Sequence, residues 1–563
     1  MKKFGWIISL IICIILGGFF GYTYFHEHSW GASGDDSAGY IFLWGLMNQH
    51  KPLVYQESLT VKALNFFQDE KLARWTTPTH HEIISSQGYI ASKYPLGLSL
   101  LMYIFSSIFN SDLAIYYVLP FFATLNLILV YLIANFIFKD IKWKYFFSVL
   151  AAIAMGLASL YINQAVSQPM REIPSIFFIL LAFYLLLLAI GLCKRRAWFY
   201  PLLFLSATLI GFSFIIRETS LIVIPALVLL FWKLNFKLKK KIVLLAVSVL
   251  FLLVGALPSI INSYNISIHK EKFKKKDITS IAITSNFDHI QSFSLSNLFQ
   301  NNGKFRPDSG GLAYYWEIMQ KMSAWPIFFA LVFLGLYYLY RQDKFLAGSL
   351  FLWGFFILLL FSLWINPYNR YLLPAFPVLA IFGSYGLFCL LTKIVPYFFQ
   401  TKKNQIIVSV IISLSLIICY QPVVAELFFP TAVEEAESRS LEYSDLQALK
   451  DLGQNIKSDS QDQEPLVIFS GNWQYGTSET FSAHTGIQAV RMPLEQKFDF
   501  KEAEVMDFFH NNLIDDYQVY IWVDSSTNTK ILNFLNNFTQ EEKNKYNLSF
   551  DNYIRIYAIS PQD

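Results

Sequence analysis

The sequence predicts an α-helical polytopic membrane protein of about eleven transmembrane helices, amino terminus inside and carboxy terminus outside, closed by a soluble α/β domain. Three observations predict it. Apolar residues are 55% of the 563 and charged residues only 15%, where soluble chains average about 25% charged. Mean hydropathy is +0.41, more apolar surface than a soluble chain can hide. Charge is also segregated: residues 425–563 carry 23 Asp and Glu against 10 Lys and Arg, while residues 1–424 carry 17 against 34. Disorder, collagen-like repeats and a disulfide-rich secreted scaffold are excluded. Basic charge in a membrane region marks cytoplasmic loops and is no argument for nucleic acid.

The elements follow in order. Lys2-Lys3 precedes an apolar run from Phe4 to about Tyr22. No A-x-A site follows, so it reads as a retained signal anchor. Runs able to cross about 30 Å of hydrocarbon then recur at 112–138, 146–165, 173–192, 199–216, 219–233, 242–262, 325–340, 345–364, 371–392 and 405–422. Segment 95–109 is short for a span and reads as a re-entrant or interfacial helix. That choice puts every short basic loop on the amino-terminal side: Lys139/Lys142/Lys144, Lys194/Arg195/Arg196, Lys237 with Lys239 to Lys241, Arg341/Lys344, and Lys393 with Lys402/Lys403. A transmembrane domain of residues 1–424 then has two large external loops, about 23–94 and 263–324.

The acidic remainder, 425–563, is an external domain of ordinary size. Its apolar segments 465–471, 487–493, 518–524 and 553–559 read as strands, and 500–514 and 529–538 as helices, the alternation of a small α/β domain. It has no GxGxxG and no P-loop. Cys13, Cys193, Cys389 and Cys419 sit in or beside apolar runs and read as packing residues.

Three short external turns carry an arginine: Arg171 in SQPMREIP, Arg217 in IIRETS and Arg370 in NPYNRYLLP. Glu172 and Glu218 follow two of them. A cation there opposes the orientation bias and is costly near the bilayer unless paired. Each could cap a helix or pair with its neighbouring glutamate. Three on one face point instead to an anion site, since the guanidinium fork suits phosphate. The first loop supplies acid in GASGDDSAGY, where Asp35 and Asp36 are either a helix cap or a general base with a charged neighbour. Lys93, in ASKYPLGL, is alone a snorkelling lysine. Asp35-Asp36 could hold a hard divalent cation through oxygen, and His26-x-His28 and His80-His81-Glu82 look like ligand pairs. Such runs are usually solvated, so the expectation is no metal and no cofactor.

The order of these motifs resembles the GT-C class of membrane glycosyltransferases, in particular the protein O-mannosyltransferase and aminoarabinose-transferase-like branch. GDDSAGY just after the first span, SKYPLGL closing the first loop, REIPSIFF, IRETSLIVIP and NRYLLPAFPVLAIFGSYGL carry the likeness, over about residues 1–395. The resemblance implies a polyprenyl-phosphate-linked sugar donor and an acceptor hydroxyl on the outer face of the membrane; the acceptor is left open between a lipid, glycan, cell-wall polymer or protein, and richness in Lys, Asn, Ile and Phe with short loops points to a bacterial cytoplasmic membrane. It implies inverting transfer, with Asp35 as general base, Asp36 in support, and Lys93, Arg217 and Arg370 on the donor phosphate. Tyr40, Arg171, Glu172, Glu218 and Tyr371 would line the same cavity. The alternatives are a transporter or flippase of a lipid-linked sugar, and a non-enzymatic envelope assembly protein.

Overall fold

The computed structural model describes residues 5–30, 35–78, 81–141, 143–167, 169–193, 196–270, 295–298, 310–321, 327–364, 368–398, 401–402, 404–405, 407–408, 443–460, 463–470, 474–492, 502–513, 516–523, 540–547 and 553–559. Of the basic and cysteine positions named above, Lys2, Lys3, Lys142, Lys194, Arg195, Lys403 and Cys419 lie outside these residues, and so does the expected helix 529–538.

The chain opens with helices α1 (Gly5–His26), α2 (Asp35–Asn48) and α3 (Ser58–Phe67). Strands β1 (Val54–Gln56), β2 (His81–Ile83) and β3 (Tyr89–Ser92) form an antiparallel sheet in the order β1-β3-β2. Gly88 closes the β2–β3 connection at φ 78, a conformation that favours glycine. The helical body follows: α4 (Gly97–Phe109), α5 (Val118–Ile137), α6 (Lys144–Gly156), α7 (Ser159–Val166), α8 (Glu172–Gly191), α9 (Arg196–Ile216), α10 (Ile224–Trp232), α11 (Leu238–His269), α12 (Gly311–Lys321), α13 (Ile327–Gln342), α14 (Lys344–Ser362) and α15 (Phe376–Cys389).

Among the described residues, seven helical segments are long and apolar enough to cross a membrane, and each coincides with an expected span: Ile7–His26, Asp112–Ile137, Glu172–Gly191, Ala197–Ile216, Leu238–His269, Lys344–Ser362 and Asn369–Phe398. This is a multi-pass membrane protein. The described residues support seven crossings, or eight with α6 and α7, which meet at 65° where one span is expected over 146–165. The expected spans 219–233 and 325–340 are the shorter apolar helices Glu218–Trp232 and Ile327–Gln342, and 405–422 lies almost wholly outside the described residues. α4 also falls short of a crossing, reaching about 20 Å. α11 continues past the expected start of the second loop, to His269.

Glycine allows the close crossings of α9 with α11 and of α13 with α15. A Cβ at Gly211 would lie 2.0 Å from the Leu252 carbonyl, and one at Gly335 would lie 1.9 Å from that of Phe382. Lipid supplies no hydrophobic drive between helices, so such backbone contact is the source of tight packing. α11 turns Val249, Leu250, Val254 and Ile261 outward, as a lipid-facing helix does.

The carboxy-terminal part holds α16 (Tyr443–Asp459), β4 (Glu464–Phe469), α17 (Gln474–Thr485), β5 (Gln488–Arg491), α18 (Glu502–Asn512), β6 (Tyr517–Val523), β7 (Gln540–Asn547) and β8 (Tyr553–Ile559). The sheet order is β5-β4-β6-β8-β7. β4 pairs parallel with β5 and β6, while β6–β8 and β8–β7 are antiparallel. β4, β5, β6 and β8 are the four expected strands. The pattern does not predict β7, QEEKNKYN, because an edge strand needs no apolar alternation.

One face of this sheet shares its core with the first loop. Leu59, Ala63, Trp75 and Ile83 pack with Leu466, Ile468, Phe508, Val519 and Ile521. Phe508 is fully buried and meets the rings of Phe66, Phe67 and Trp75 at 5.3, 5.1 and 5.8 Å. Lys62 pairs with Asp516, and Ser58 with the Tyr517 hydroxyl. At the same joint the Glu57 carboxyl is pushed up to about 7 by burial and by Glu464, against the pull of Lys51, the Ser58 N–H and Gln488.

Phe508→Ala is expected to cost about 3–5 kcal/mol and to open the first loop to protease while the membrane helices stay resistant. Glu57 supplies a pH test. A raised folded-state pKa contributes stability that is full below the unfolded value of 4.5 and is lost as pH rises through about 7. Protease protection of the first loop should fall from about pH 5 to about pH 8 in wild type and stay flat in Glu57→Gln.

Candidate active site

The site is built from the leading ends of three membrane helices. α8 begins at Glu172, with Pro174 in its first turn, so a carboxylate meets the positive end of the helix. Asn126 on α5 donates to the Ile173 carbonyl at 3.1 Å and fixes that turn. The Ser213 hydroxyl donates to the Ser175 carbonyl at 3.2 Å and ties α9 to α8, just before Arg217. Arg217 leads into a 3-10 turn, Glu218–Val223, and Arg370 lies in a second one, Asn369–Ala375. Pro225 and Pro377 then start α10 and α15.

These turns bring the charges together. Arg217 Nη1 and Arg370 Nε both stand 3.6 Å from Oε1 of Glu172. The side chains of Arg217 and Glu172 are 3% and 2% exposed, so this is a buried cluster. Arg171 Nη1 lies 3.5 Å from Oε2 of Glu218, at a more open position. Three guanidinium groups thus face two carboxylates. Arg217 lies over the rings of Phe361 and Tyr371 at 5.1 and 5.0 Å, and those two rings stack at 4.6 Å. Arg370 lies over Tyr368 and Tyr371 at 5.1 and 5.8 Å, with Nη1 3.7 Å from the Met170 sulfur.

At 3.6 Å these ion pairs are too long for hydrogen bonds. Arg217 Nε and Nη1 and Glu172 Oε2 are buried without a hydrogen-bond partner among the described residues. Burying ionised groups in that state costs several kcal/mol. An anion received by the guanidinium fork would satisfy the donors and balance the surplus positive charge.

The remaining predicted residues connect to this cluster in part. Arg171 lies over the ring of Tyr94 at 5.7 Å, and Tyr94 stacks on Tyr40 at 4.8 Å. Tyr40 is on α2, one turn beyond Asp36, and Asp35 and Asp36 are the first two residues of that helix. The side chains of Asp35 and Asp36 lie outside the described residues. Lys93 forms its ion pair with the buried Glu82, whose Oε1 is also 3.9 Å from Arg74 Nη2. Lys93 therefore belongs to a second cationic cluster, one residue from Tyr94. Sequence reasoning missed Glu82, Arg74 and Tyr94 as neighbours of the charges. Glu82 stood out only as part of a ligand-like run, in which His81 packs edge-on to Phe42 at 5.0 Å and His80 lies outside the described residues. Among the described residues no three His, Cys, Asp or Glu side chains converge as metal ligands.

No family model matches the sequence, and no curated protein matches it. Solved structures do match the fold. The archaeal oligosaccharyltransferase AglB from Archaeoglobus fulgidus, in complex with an inhibitory peptide and a dolichol-phosphate, aligns at TM-score 0.56 and 12% identity over 92% of this chain and 70% of that one. ArnT from Cupriavidus metallidurans bound to undecaprenyl phosphate aligns at TM-score 0.55 and 14% identity over 98% of each chain. ArnT in the apo state aligns at TM-score 0.53 and 12% identity, over 99% of this chain and 98% of that one. The chain has the GT-C fold. At this identity the likeness concerns architecture, and the ArnT match spans the carboxy-terminal part as well as the membrane helices.

Within this GT-C fold the two glutamates should differ in weight. Glu172→Gln leaves two guanidinium groups without their buried counter-charge and is expected to cost about 3–5 kcal/mol. Glu218→Gln breaks a partly exposed pair and should cost about 1 kcal/mol or less. Thermal unfolding of the purified variants in detergent checks the order.

Proposed function

We propose that the protein is a membrane glycosyltransferase that moves a sugar from a polyprenyl-phosphate-linked donor to an acceptor hydroxyl on the outer face of a bacterial cytoplasmic membrane. The observation that carries this reading is the Arg217–Glu172–Arg370 cluster at the ends of membrane helices, in which buried N–H groups of Arg217 are left for an anion. A lipid phosphate is the anion that arrives at that depth. The fold is shared with ArnT bound to undecaprenyl phosphate and with AglB in complex with a dolichol-phosphate. Residues 1–424 form the transferase body in this reading. Residues 425–563 lie on the reaction side and, with the first loop, face the acceptor, which is a lipid, glycan, cell-wall polymer or protein.

In the proposed reaction Asp35 takes the proton of the acceptor hydroxyl as its oxygen attacks the anomeric carbon. The bond from that carbon to the phosphate oxygen breaks, and the polyprenyl phosphate leaves with the electron pair. Configuration inverts. Arg217 and Arg370 stabilise the charge that grows on the leaving phosphate, with Lys93 as a further cation and Asp36 supporting the base. Tyr40, Arg171, Glu218 and Tyr371 line the cavity between base and phosphate. The reading needs no metal and no cofactor. A transporter would call for charges along its spans and two related halves, whereas these charges gather at helix ends.

Radiolabelled polyprenyl-phosphate sugars offered to membranes containing wild type, Asp35→Asn or Arg217→Gln test the reading. Asp35→Asn should lose about 10²–10⁴-fold in transfer while still binding donor. Arg217→Gln should lose donor affinity as well as rate. Equal transfer by wild type and Asp35→Asn would remove Asp35 as the base. Absence of transfer by wild type, with lipid-linked sugar flipped across vesicles, would favour the transporter.

A further inference from the structure

The carboxy-terminal domain is joined to the helix that begins at Asp35. α17 lies along α2, and at one point their backbones touch: a Cβ at Gly45 would stand 2.6 Å from Ala483 Cα. Gln49 Nε2 donates to the carbonyls of Ser482 and Ala483 at 3.4 and 3.2 Å. His484 then enters the membrane body. Its Nε2 is 3.0 Å from the Tyr116 hydroxyl and its ring 5.0 Å from that of Trp44. Trp44 Nε1 donates to Ser106 on α4 at 3.0 Å, and Asn48 donates to Asp112 at 3.2 Å. His484 thus links α17 to Trp44 on α2 and to Tyr116, and its Nδ1 is buried without a hydrogen-bond partner among the described residues. A helix is stiff over its 14 residues, so whatever fixes residues 44–49 also fixes the end at Asp35, about 15 Å away.

We propose that the carboxy-terminal domain positions the general base: Ala483 and His484, acting through Gly45, Trp44 and Tyr116, set the placement of α2 and with it Asp35. The inference rests on the reading of Asp35 given above. His484 is a positioning residue: its ring contacts are Trp44 and Tyr116, neither of them a member of the Glu172 cluster. The charged and titratable groups around it are Tyr116, Asp112 beyond Tyr116, Lys450 on α16, and Lys457, which holds the neighbouring Thr485 carbonyl. Burial holds the imidazole down to about 3, with Lys450 acting in the same direction. A lowered folded-state pKa gives a docking contribution that is complete above the ordinary 6.5 and is lost as pH falls toward 3.

The test uses the full chain in detergent or nanodiscs, with undecaprenyl phosphate as the probe of the donor site. His484→Ala and Ala483→Leu should each lower kcat about 10–100-fold while affinity for undecaprenyl phosphate stays within about two-fold. Amide exchange over residues 35–48 should quicken in both, with α8 and α14 unchanged. His484→Gln, which keeps a neutral partner for Tyr116, should restore kcat and slow exchange over residues 35–48, and should flatten the loss of that protection expected of wild type as pH falls from about 6.5 to about 4.5. The inference is overturned if kcat is unchanged, if kcat and probe affinity fall together, or if exchange quickens throughout the protein, which marks general unfolding. If wild type transfers no sugar, the transferase reading fails by itself. Exchange at residues 35–48 still decides the docking, and no change in Ala483→Leu overturns it.

Discussion

Glu172 opens a membrane helix with its carboxylate almost wholly buried, and one of its oxygens faces two guanidinium groups that arrive from two other helix ends. Much of the structure can be followed outward from that constraint. The carboxylate tolerates burial because the cations are there, and the cations tolerate it because of the carboxylate and the electron-rich rings of Phe361, Tyr368 and Tyr371. Asn126 and Ser213 fix the backbone that presents these groups. The balance is incomplete, since Arg217 keeps donors without partners. That incompleteness separates a site from a structural ion pair, which would close its hydrogen bonds.

A second constraint couples the ends of the sequence. The first loop and the carboxy-terminal sheet share one core, so neither can bury its apolar face alone. Helix α2 stands between this joint and the membrane helices, touching α17 through Gly45 and packing on α4. Removing the residues after 425 would therefore strip Leu59, Trp75 and Ile83 of their cover. Truncation is a poor test of whether the domain has a role of its own, and point changes at Ala483 or His484 are better ones.

The chemistry was legible wherever a residue broke a local rule. Arg171, Arg217 and Arg370 stood out because cations oppose the orientation bias in those turns, and the structure gathers all three with Glu172, Glu218 and Tyr371. Apolar alternation marked β4, β5, β6 and β8, but nothing local marks β7, an edge strand of charged and polar residues. Trp75 could be taken for an interfacial aromatic, yet it is buried against Phe508, more than four hundred residues along the chain. Lys93 was assigned to the donor phosphate, and the partner the structure gives it is Glu82. Contacts at such sequence separation as Trp75 to Phe508 leave no periodicity to read, so the shared core had to come from the fold, while the pairing of Lys93 with Glu82 follows from the β2–β3 hairpin. The described residues reach fewer crossings than the eleven expected, because the apolar segments 218–232 and 327–342 are short and 405–422 lies almost wholly outside them.

The central claim is that the Glu172 cluster receives a lipid phosphate. A structure determined with undecaprenyl phosphate bound tests it most directly. The account predicts phosphate oxygens within hydrogen-bond distance of Arg217 and Arg370, with the buried guanidinium donors satisfied. A phosphate ordered elsewhere, with Arg217 and Arg370 still paired with Glu172, would contradict it.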